Sequence, residues 1–413
     1  MFYVDDHYYT LHDVEKQYEV FNETPEIRDC QNIRLAVCIK DMFEWITLCL
    51  YIRHKGGTVF PIHPSTPKDG AIQLAKASSC DVLFYGDLHS HSSIQLGSNR
   101  RDGEGALIQM SSGTTGAPKC IERTWKSIEE ELTSYLSVLP LDHTTTSIVA
   151  CPVTHSYGLI SGVLACLKRG AEPVVITNMN PAYLIKKVKE QPHHLFYAAP
   201  TLLYMLSRFM RGERLFHYVM TSGTVIPSTW LEQLQNVSKK VFQQYGCSEA
   251  GCVAVHPDLQ HASDMGYALP HVKIEAGEKE SPTEILIHTY QKTISTKDLG
   301  YLQAGVLTFV SRIDDTINVA GLNVYPQEVE NVLMNEPRII EAVVYKKTND
   351  LSGERVCAQF TSNELMVEKE VRDWCSRFLA PHQIPMEIKQ VTEIEKLPNG
   401  KISRKKLAEM TAV

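Results

Sequence analysis

The chain has 413 residues, 43% hydrophobic and 22% charged, with a formal net charge of −7; this suits a globular protein of two or three domains, and its acidity gives no electrostatic reason to expect nucleic acid or an anionic membrane as partner. Eleven cysteines lie scattered without a Cys-x-x-Cys pair, which argues against a zinc site or disulfide framework and for reduced thiols in the cytoplasm. The start, Met1-Phe2-Tyr3-Val4, lacks the pattern of a secretion signal, and no stretch reaches the ~18 apolar residues of a membrane span.

Residues 33–41 alternate into a short apolar strand, and Met42–His54 carries apolar residues at helical spacing. Gly56 and Gly57 end that helix and Val59–Ile62 opens the next strand, the beginning of a parallel α/β layer. Cys80–Tyr85 reads as another buried strand and His89–Asp102 as a polar loop. Strand Ala106–Met110 then enters the segment Ile108–Lys119, Ile-Gln-Met-Ser-Ser-Gly-Thr-Thr-Gly-Ala-Pro-Lys. Its hydroxyls (Ser111, Ser112, Thr114, Thr115), its glycines (Gly113, Gly116) and Lys119 suit it to wrap an oligophosphate, because glycines let the backbone approach and the lysine offsets charge. A polar turn after a buried strand has the same composition. The P-loop spacing of ATPases is absent, and Cys120 follows the lysine.

Lys126–Val138 reads as an amphipathic helix and Thr146–Cys151 as a strand, followed by Pro152-Val-Thr-His155-Ser156-Tyr157-Gly158. A lone histidine such as His155 is a satisfied structural residue more often than a catalytic one. Gly170–Ile176 and Leu195–Ala199 read as strands, Pro200–Arg211 as a helix, and Tyr218–Gly223 as a strand ending in the turn Ser222-Gly223-Thr224. Val241–Gly251 joins a strand to an aromatic (Tyr245), a glycine turn and a carboxylate (Glu249). Glu284–Thr289 and Val306–Val310 suggest a small antiparallel sheet near Asp298. Beyond Asp314, a glycine-containing hairpin, helix Gln327–Met334, strands Val343–Tyr345 and Val356–Thr361, helix Lys369–Phe378 and strand Ile388–Val391 make a small α+β domain.

Taken in order, these segments resemble the signatures of the adenylate-forming enzymes: acyl-CoA synthetases, adenylation domains of peptide synthetases, and luciferases. Gly56-Gly57…Pro61-Ile62-x-Pro64, the Ser/Thr/Gly loop, Tyr245-Gly246-Cys247-Ser248-Glu249, Ser295-Thr-Lys-Asp298-Leu-Gly300, Ser311-Arg312-Ile-Asp314 and Leu397-Pro-Asn399-Gly400-Lys401-Ile-Ser-Arg404 carry the match, with Lys297 where the family has glycine. The resemblance implies an α/β fold: a large domain of layered sheets with a small β-barrel-like part over 1–313, its N-terminal portion trimmed, and a small mobile lid over 314–413. Asp314 would be the hinge. It implies ATP and Mg²⁺ as cofactors. Ser111, Ser112, Gly113, Thr114, Thr115, Gly116 and Lys119 would hold the β- and γ-phosphates, and Ser222, Gly223 and Thr224 would approach the adenine on which Tyr245 stacks. Past Gly246, Ser248 would touch the α-phosphate and Glu249 hold Mg²⁺. Asp298 and Arg312 would take the ribose, and Lys401 would be the mobile catalytic lysine.

The same resemblance puts His155 beside the acid's carboxylate and makes Ser156, Tyr197, Cys247 and Cys252 pocket residues. Members that activate amino acids carry an aspartate after the histidine segment, and none stands between Cys151 and Lys168. A buried ammonium without a counter-charge would be costly, so the acid should lack an α-amino group. Pro118-Lys119-Cys-Ile-Glu-Arg123-Thr124-Trp125 is similar to stand-alone aryl-acid adenylating enzymes of catecholate siderophore pathways, whose 2-hydroxybenzoate members carry His-Asn where this chain has His155-Ser156. The analogy implies an aryl acid without an ortho hydroxyl, such as the 3,4-dihydroxybenzoate of petrobactin-type pathways, and a phosphopantetheinylated aryl carrier protein as acceptor. An acyl- or aryl-CoA ligase and a non-catalytic nucleotide-binding scaffold stand as alternatives.

Overall fold

The computed structural model describes residues 1–88, 93–97, 103–111, 119–319, 321–349, 353–397 and 402–410. Where apolar residues run on without polar alternation, strands are covered on both faces, as parallel sheets require. Arg34–Ile39, buried from Leu35 onward, is flanked in parallel by Thr58–Pro61 and Val82–Gly86 in a six-stranded sheet. Helix Met42–His54 crosses between the first two of these, with Asp41 accepting a bond from the Glu44 N–H at 2.9 Å and Gly56 (φ 73°) supplying the left-handed residue after its end. Ala106–Ser111 adds parallel to Thr58–Pro61, and Lys119–Thr124 pairs antiparallel with it, Ser111 opposite Lys119. The edge strand Ser93–Gln95 corrects part of the polar loop expected over His89–Asp102; three residues are too few for an alternation to show.

The larger sheet has thirteen strands, with His7–Tyr9 at one edge, antiparallel to Phe2–Val4. Six run parallel in the spatial order Phe2–Val4, Val174–Val175, Thr146–Val149, His194–Tyr197, Phe216–Thr221, Ser238–Cys247. Hydrogen bonding then continues antiparallel through Gly251–His256, Asp264–Ala268, Val306–Arg312, Thr293–Gln303, Thr283–His288 and Lys273–Glu275. The antiparallel part expected around Asp298 is therefore continuous with this sheet, and register shifts at Tyr245/Gly246, Asp264/Gly266, Glu284/Leu286 and Leu299/Gly300 bend it. Helices Leu11–Glu23, Lys68–Ala77 and Ser228–Val237 add to those expected. The first opens on a Thr10/Asp13 capping box. The second buries only Ala71 and Ala75, side chains too small to mark an apolar face.

The small C-terminal domain carries the hairpin Ile317–Val319/Leu322–Val324, turned at Gly321 (φ 89°), and the long antiparallel pair Ile339–Asn349/Gly353–Ser362, beside which Glu387–Gln390 runs parallel. Helices Pro326–Met334, Glu368–Ser376 and Arg404–Met410 pack on it.

At the opposite ends of the parallel strands from the loops that follow them, His194 is fully buried, its Nδ1 2.5 Å from the Gln191 carbonyl and its Nε2 accepting from the His217 N–H at 3.2 Å. Burial pushes its pKa from 6.5 down to about 4. Between those values the unfolded chain takes up a proton that the folded one refuses. Stability should therefore fall as pH drops from 6.5 to 4, by about 3 kcal/mol at most, and level off below. Urea unfolding at pH 7, 5.5 and 4 should show a shallower slope in His194→Gln than in the wild type.

Candidate active site

Thr146–Val149, His194–Tyr197, Phe216–Thr221 and Ser238–Cys247 are adjacent and parallel, so their C-terminal ends form one edge, where open α/β sheets bind ligands. His155 to Tyr157 follow the first strand, Ala198 the second, Ser222 to Thr224 the third, and Ser248 to Ala250 form the turn after the fourth. Gly223 adopts φ 92°, and Ser222 donates to the Gln244 carbonyl at 3.1 Å, tying two strand ends together. A Cβ added to Gly246 would lie 1.9 Å from the Gly251 carbonyl oxygen. That contact requires glycine and closes a narrow turn, which holds Cys247, Ser248 and Glu249 half-buried at the edge. Burial, then the neighbouring Glu249, pushes the Cys247 thiol up to about 12, so it stays protonated.

Next to this edge, Tyr245 donates to Asp298 Oδ2 at 2.6 Å while Arg312 donates to Asp298 Oδ1 at 2.6 Å and to the Thr296 carbonyl at 3.1 Å. Asp298 and Arg312 face one another across paired strands, and the Thr296 hydroxyl receives the Asp298 N–H at 3.1 Å. Burial and then Asp298 hold the Tyr245 phenol well above its ordinary pKa. Burial opposes the charge on Arg312, but Asp298, Asp315 and Asp314 outweigh it and raise its pKa. The result is one oriented carboxylate gripped by a neutral donor and a permanent cation, suited to accept further bonds from a diol.

After the strand Thr146–Val149, helix geometry changes: Tyr157–Leu164 is a π-helix, a form frequent at functional sites. Gly158 and Gly162 let it lie against the sheet, since added Cβ atoms would stand 2.5 Å from the Pro152 carbonyl and 2.8 Å from Val149 Cγ2. Tyr157 donates to the carbonyls of Met220 (2.5 Å) and Ala198 (3.3 Å). Ser156 donates to the side-chain carbonyl of Gln109 on strand Ala106–Ser111, joining the two sheets, and His155 is exposed beside it. Two expected pocket residues are deeply buried here. Tyr197 is 0% and Cys252 4% exposed, within the core under this edge rather than on its surface. The Tyr197 hydroxyl lies 3.2 Å from that of Tyr135, which donates to Gln244 Oε1 at 3.0 Å, and Gln244 Nε2 donates to Ser161 at 3.1 Å. This internal satisfaction lets a phenol sit in an apolar core.

Lys119 is exposed at the foot of its strand. Ser112, Gly113, Thr114, Thr115, Gly116 and Lys401 lie outside the described residues, and Ser111 is placed only as the strand residue opposite Lys119. Asp314 sits in the short turn Ile313–Asp315, its Oδ2 4.0 Å from Arg312. Arg404 donates to both Glu330 carboxylate oxygens (2.8 and 3.0 Å), to Asp315 Oδ2 (3.1 Å) and to the Val344 carbonyl (2.9 Å). Burial works against this cation, and Glu330 and Asp315 more than restore it. Among the described residues no three His, Cys, Asp or Glu side chains gather as a metal nest. Glu249, half-buried in the turn, could offer one carboxylate to a magnesium ion, which commonly takes one or two carboxylates plus phosphates.

Glu131, which sequence reading passed over, pairs with Arg123, which it noted only as part of the Pro118–Trp125 run. Arg123 NH2 lies 2.7 Å from Glu131 Oε2, and Glu131 Oε1 accepts the Cys252 N–H at 2.7 Å. Glu131 shares the buried face of helix Trp125–Val138 with Ile128, Leu132 and Tyr135. A carboxylate at an apolar position of the period is the signal that could have found it.

The sequence matches the model of the AMP-binding enzyme family over residues 97–285 and that of the AMP-binding enzyme C-terminal domain over 328–401. The chain is 38% identical over 400 residues, 97% of its own length and 96% of the other, to the 3,4-dihydroxybenzoate–aryl-carrier protein ligase of Bacillus anthracis. It is 26% identical to the 2-succinylbenzoate–CoA ligase of Lactococcus lactis subsp. lactis, covering 76% of this chain and 73% of that one. In fold it is similar to the o-succinylbenzoate coenzyme A synthetase of Bacillus subtilis solved with ATP and a magnesium ion, with a TM-score of 0.83 at 18% identity, over 98% of this chain and 95% of that one.

Proposed function

Because the chain belongs to the AMP-binding enzymes, we propose that it is an AMP-forming acid–thiol ligase that activates an aryl carboxylic acid, 3,4-dihydroxybenzoate, and passes it to the phosphopantetheine thiol of an aryl carrier protein. The observation that carries this reading is the 38% identity with a ligase of that description across almost the whole chain. The geometry supports it: acid-side, adenine-side and metal-side groups meet at one sheet edge. ATP would lie with its adenine against Tyr245 and its ribose at Asp298 and Arg312. Its triphosphate would run toward Ser111–Lys119, with Ser248 at the α-phosphate and Glu249 on the Mg²⁺ it brings.

His155 and Ser156 stand where the acid would enter, and no aspartate of the described segment after His155 offers a partner for an α-ammonium. In the first step the carboxylate attacks the α-phosphorus, its new P–O bond replacing that to pyrophosphate. In the second the carrier's thiol attacks the acyl carbon, and AMP leaves. Little covalent work falls to the protein; positioning and charge stabilisation carry both steps. Lys401 would bridge the carboxylate and the α-phosphate in the first step. The small domain, taken as 314–413, would turn about Asp314 against 1–313 for the second.

Asp298→Asn keeps the shape but leaves Arg312 without its carboxylate and weakens the acceptor for the ribose. We expect the KM for ATP to rise about 10–100-fold, as befits loss of a charge-assisted bond, with a smaller change in kcat; pyrophosphate exchange against ATP concentration measures both. The acceptor is tested by offering the adenylating enzyme a phosphopantetheinylated aryl carrier protein and free CoA side by side. Thioester on the carrier alone supports the reading, and thioester on CoA alone makes the chain an aryl-CoA ligase. On this reading the protein works in the cytoplasm, where its cysteines would stay reduced. Among the described residues no helix is long and apolar enough to cross a membrane.

A further inference from the structure

We propose that Arg123 and Glu131 are positioning residues that fix the distance between the strand pair flanking the phosphate segment and the Gly246–Gly251 turn, and so set the enzyme's preference for ATP over its two halves. Arg123 belongs to Lys119–Thr124, the strand whose first residue faces Ser111; it stands opposite Leu107 in the same pair. Its guanidinium is 5% exposed and meets the Glu131 carboxylate, 3% exposed, at 2.7 Å. The other oxygen of Glu131 holds the Cys252 N–H at 2.7 Å. Gly251 closes the turn directly above the pair: at φ 78°, its missing Cβ would lie 2.2 Å from Arg123 NH1 and 2.3 Å from Glu131 Oε2. One strut thus runs from the six-stranded sheet, through a helix, to the turn of the thirteen-stranded sheet. Two further titratable groups feel Arg123: Cys252, whose thiol burial and then Glu131 hold well above its ordinary value, and His271, which burial and then Arg123 push down to about 4, so neither adds a competing charge.

A buried ion pair gains little over well-packed apolar side chains in stability, so the role proposed for this one is to set the separation of the two segments it joins. The strut therefore matters most to a ligand that spans both ends of it. ATP does; AMP touches only the turn side and pyrophosphate only the strand-pair side. This inference rests on the nucleotide placement proposed above.

The test is calorimetric titration of the full chain, in buffered Mg²⁺, with ATP, AMP and pyrophosphate. The variant is Arg123→Met combined with Glu131→Leu, which replaces both charges by apolar side chains; a thermal melt checks its fold. We expect ATP to bind about tenfold more weakly or worse while AMP and pyrophosphate each stay within about twofold of the wild type. Unchanged ATP affinity, or an equal loss for all three ligands, would overturn the proposal, the latter showing a merely structural role. Arg123→Lys, which keeps the charge but loses the planar fork, gives a second reading should the double variant melt: a selective loss of ATP affinity supports the strut, and none contradicts it. If the wild type itself binds ATP no better than AMP, the nucleotide placement has failed rather than the strut alone.

Discussion

Lys401→Ala should lower adenylate formation by at least about 10²–10³-fold, the scale on which removing one pre-placed donor to a developing charge acts, while a chemically supplied acyl-adenylate is still transferred to the thiol at a rate near wild type. The carboxylate and the α-phosphate repel each other, and only the first step has to bring two anions together. Three residues further on, Arg404 anchors the chain to Glu330, Asp315 and Val344. Asp315 adjoins the proposed hinge, so the anchor links the hinge turn to the segment that carries the lysine. If the lysine did no more than support the small domain, both steps would fall together. Following pyrophosphate release and thioester formation separately distinguishes the two outcomes.

Gly246→Ala should be nearly as damaging for a steric reason. The new Cβ would stand 1.9 Å from the Gly251 carbonyl oxygen and 3.0 Å from Cys252 Cα. Both are backbone atoms, so no flexible side chain can relieve the contact and the turn must open. Ser248 and Glu249 would shift with it, and a displacement of about 1 Å at a reacting centre costs about 10²-fold in rate. Gly170→Ala is the control: it has φ 80° with open space around it, so the same change should cost about 1 kcal/mol of stability and leave turnover unaltered. Exchange rates and thermal melts of the two variants side by side make the comparison. Wild-type exchange in Gly246→Ala would contradict the role given to the turn.

The parts of the fold legible in the sequence are those with strong periodicity. Met42–His54, Pro200–Phe209 and the strands of the parallel edge stand where apolar spacing puts them, within about three residues at the ends. Lys68–Ala77 escaped because alanine carries too little apolar surface, and Phe2–Val4 because its partner Val174–Val175 lies far along the chain. At the site, Tyr245, Asp298 and Arg312 were readable as separate motifs, but that one carboxylate joins the other two is a fact of register between Thr293–Gln303 and Val306–Arg312. Glu131 and Gln244 illustrate roles that were not readable even where the position itself stands out. Each is a polar residue in a buried stretch, and its purpose depends on a partner that only the folded chain brings close: Arg123 and Cys252 for one, Tyr135 and Ser161 for the other. Tyr197, placed by resemblance at the pocket, is fully buried, and the hydroxyl of Tyr135 beside it is likewise a contact that only the fold supplies.

ATP–pyrophosphate exchange with the purified chain, across 3,4-dihydroxybenzoate, 2,3-dihydroxybenzoate, 2-hydroxybenzoate, fatty acids and amino acids, is the most direct measurement of the central claim. The account predicts exchange driven by 3,4-dihydroxybenzoate, weaker exchange with acids bearing an ortho hydroxyl, and none with amino acids. Exchange that depends on no acid of the panel, or that favours an amino acid, would contradict it.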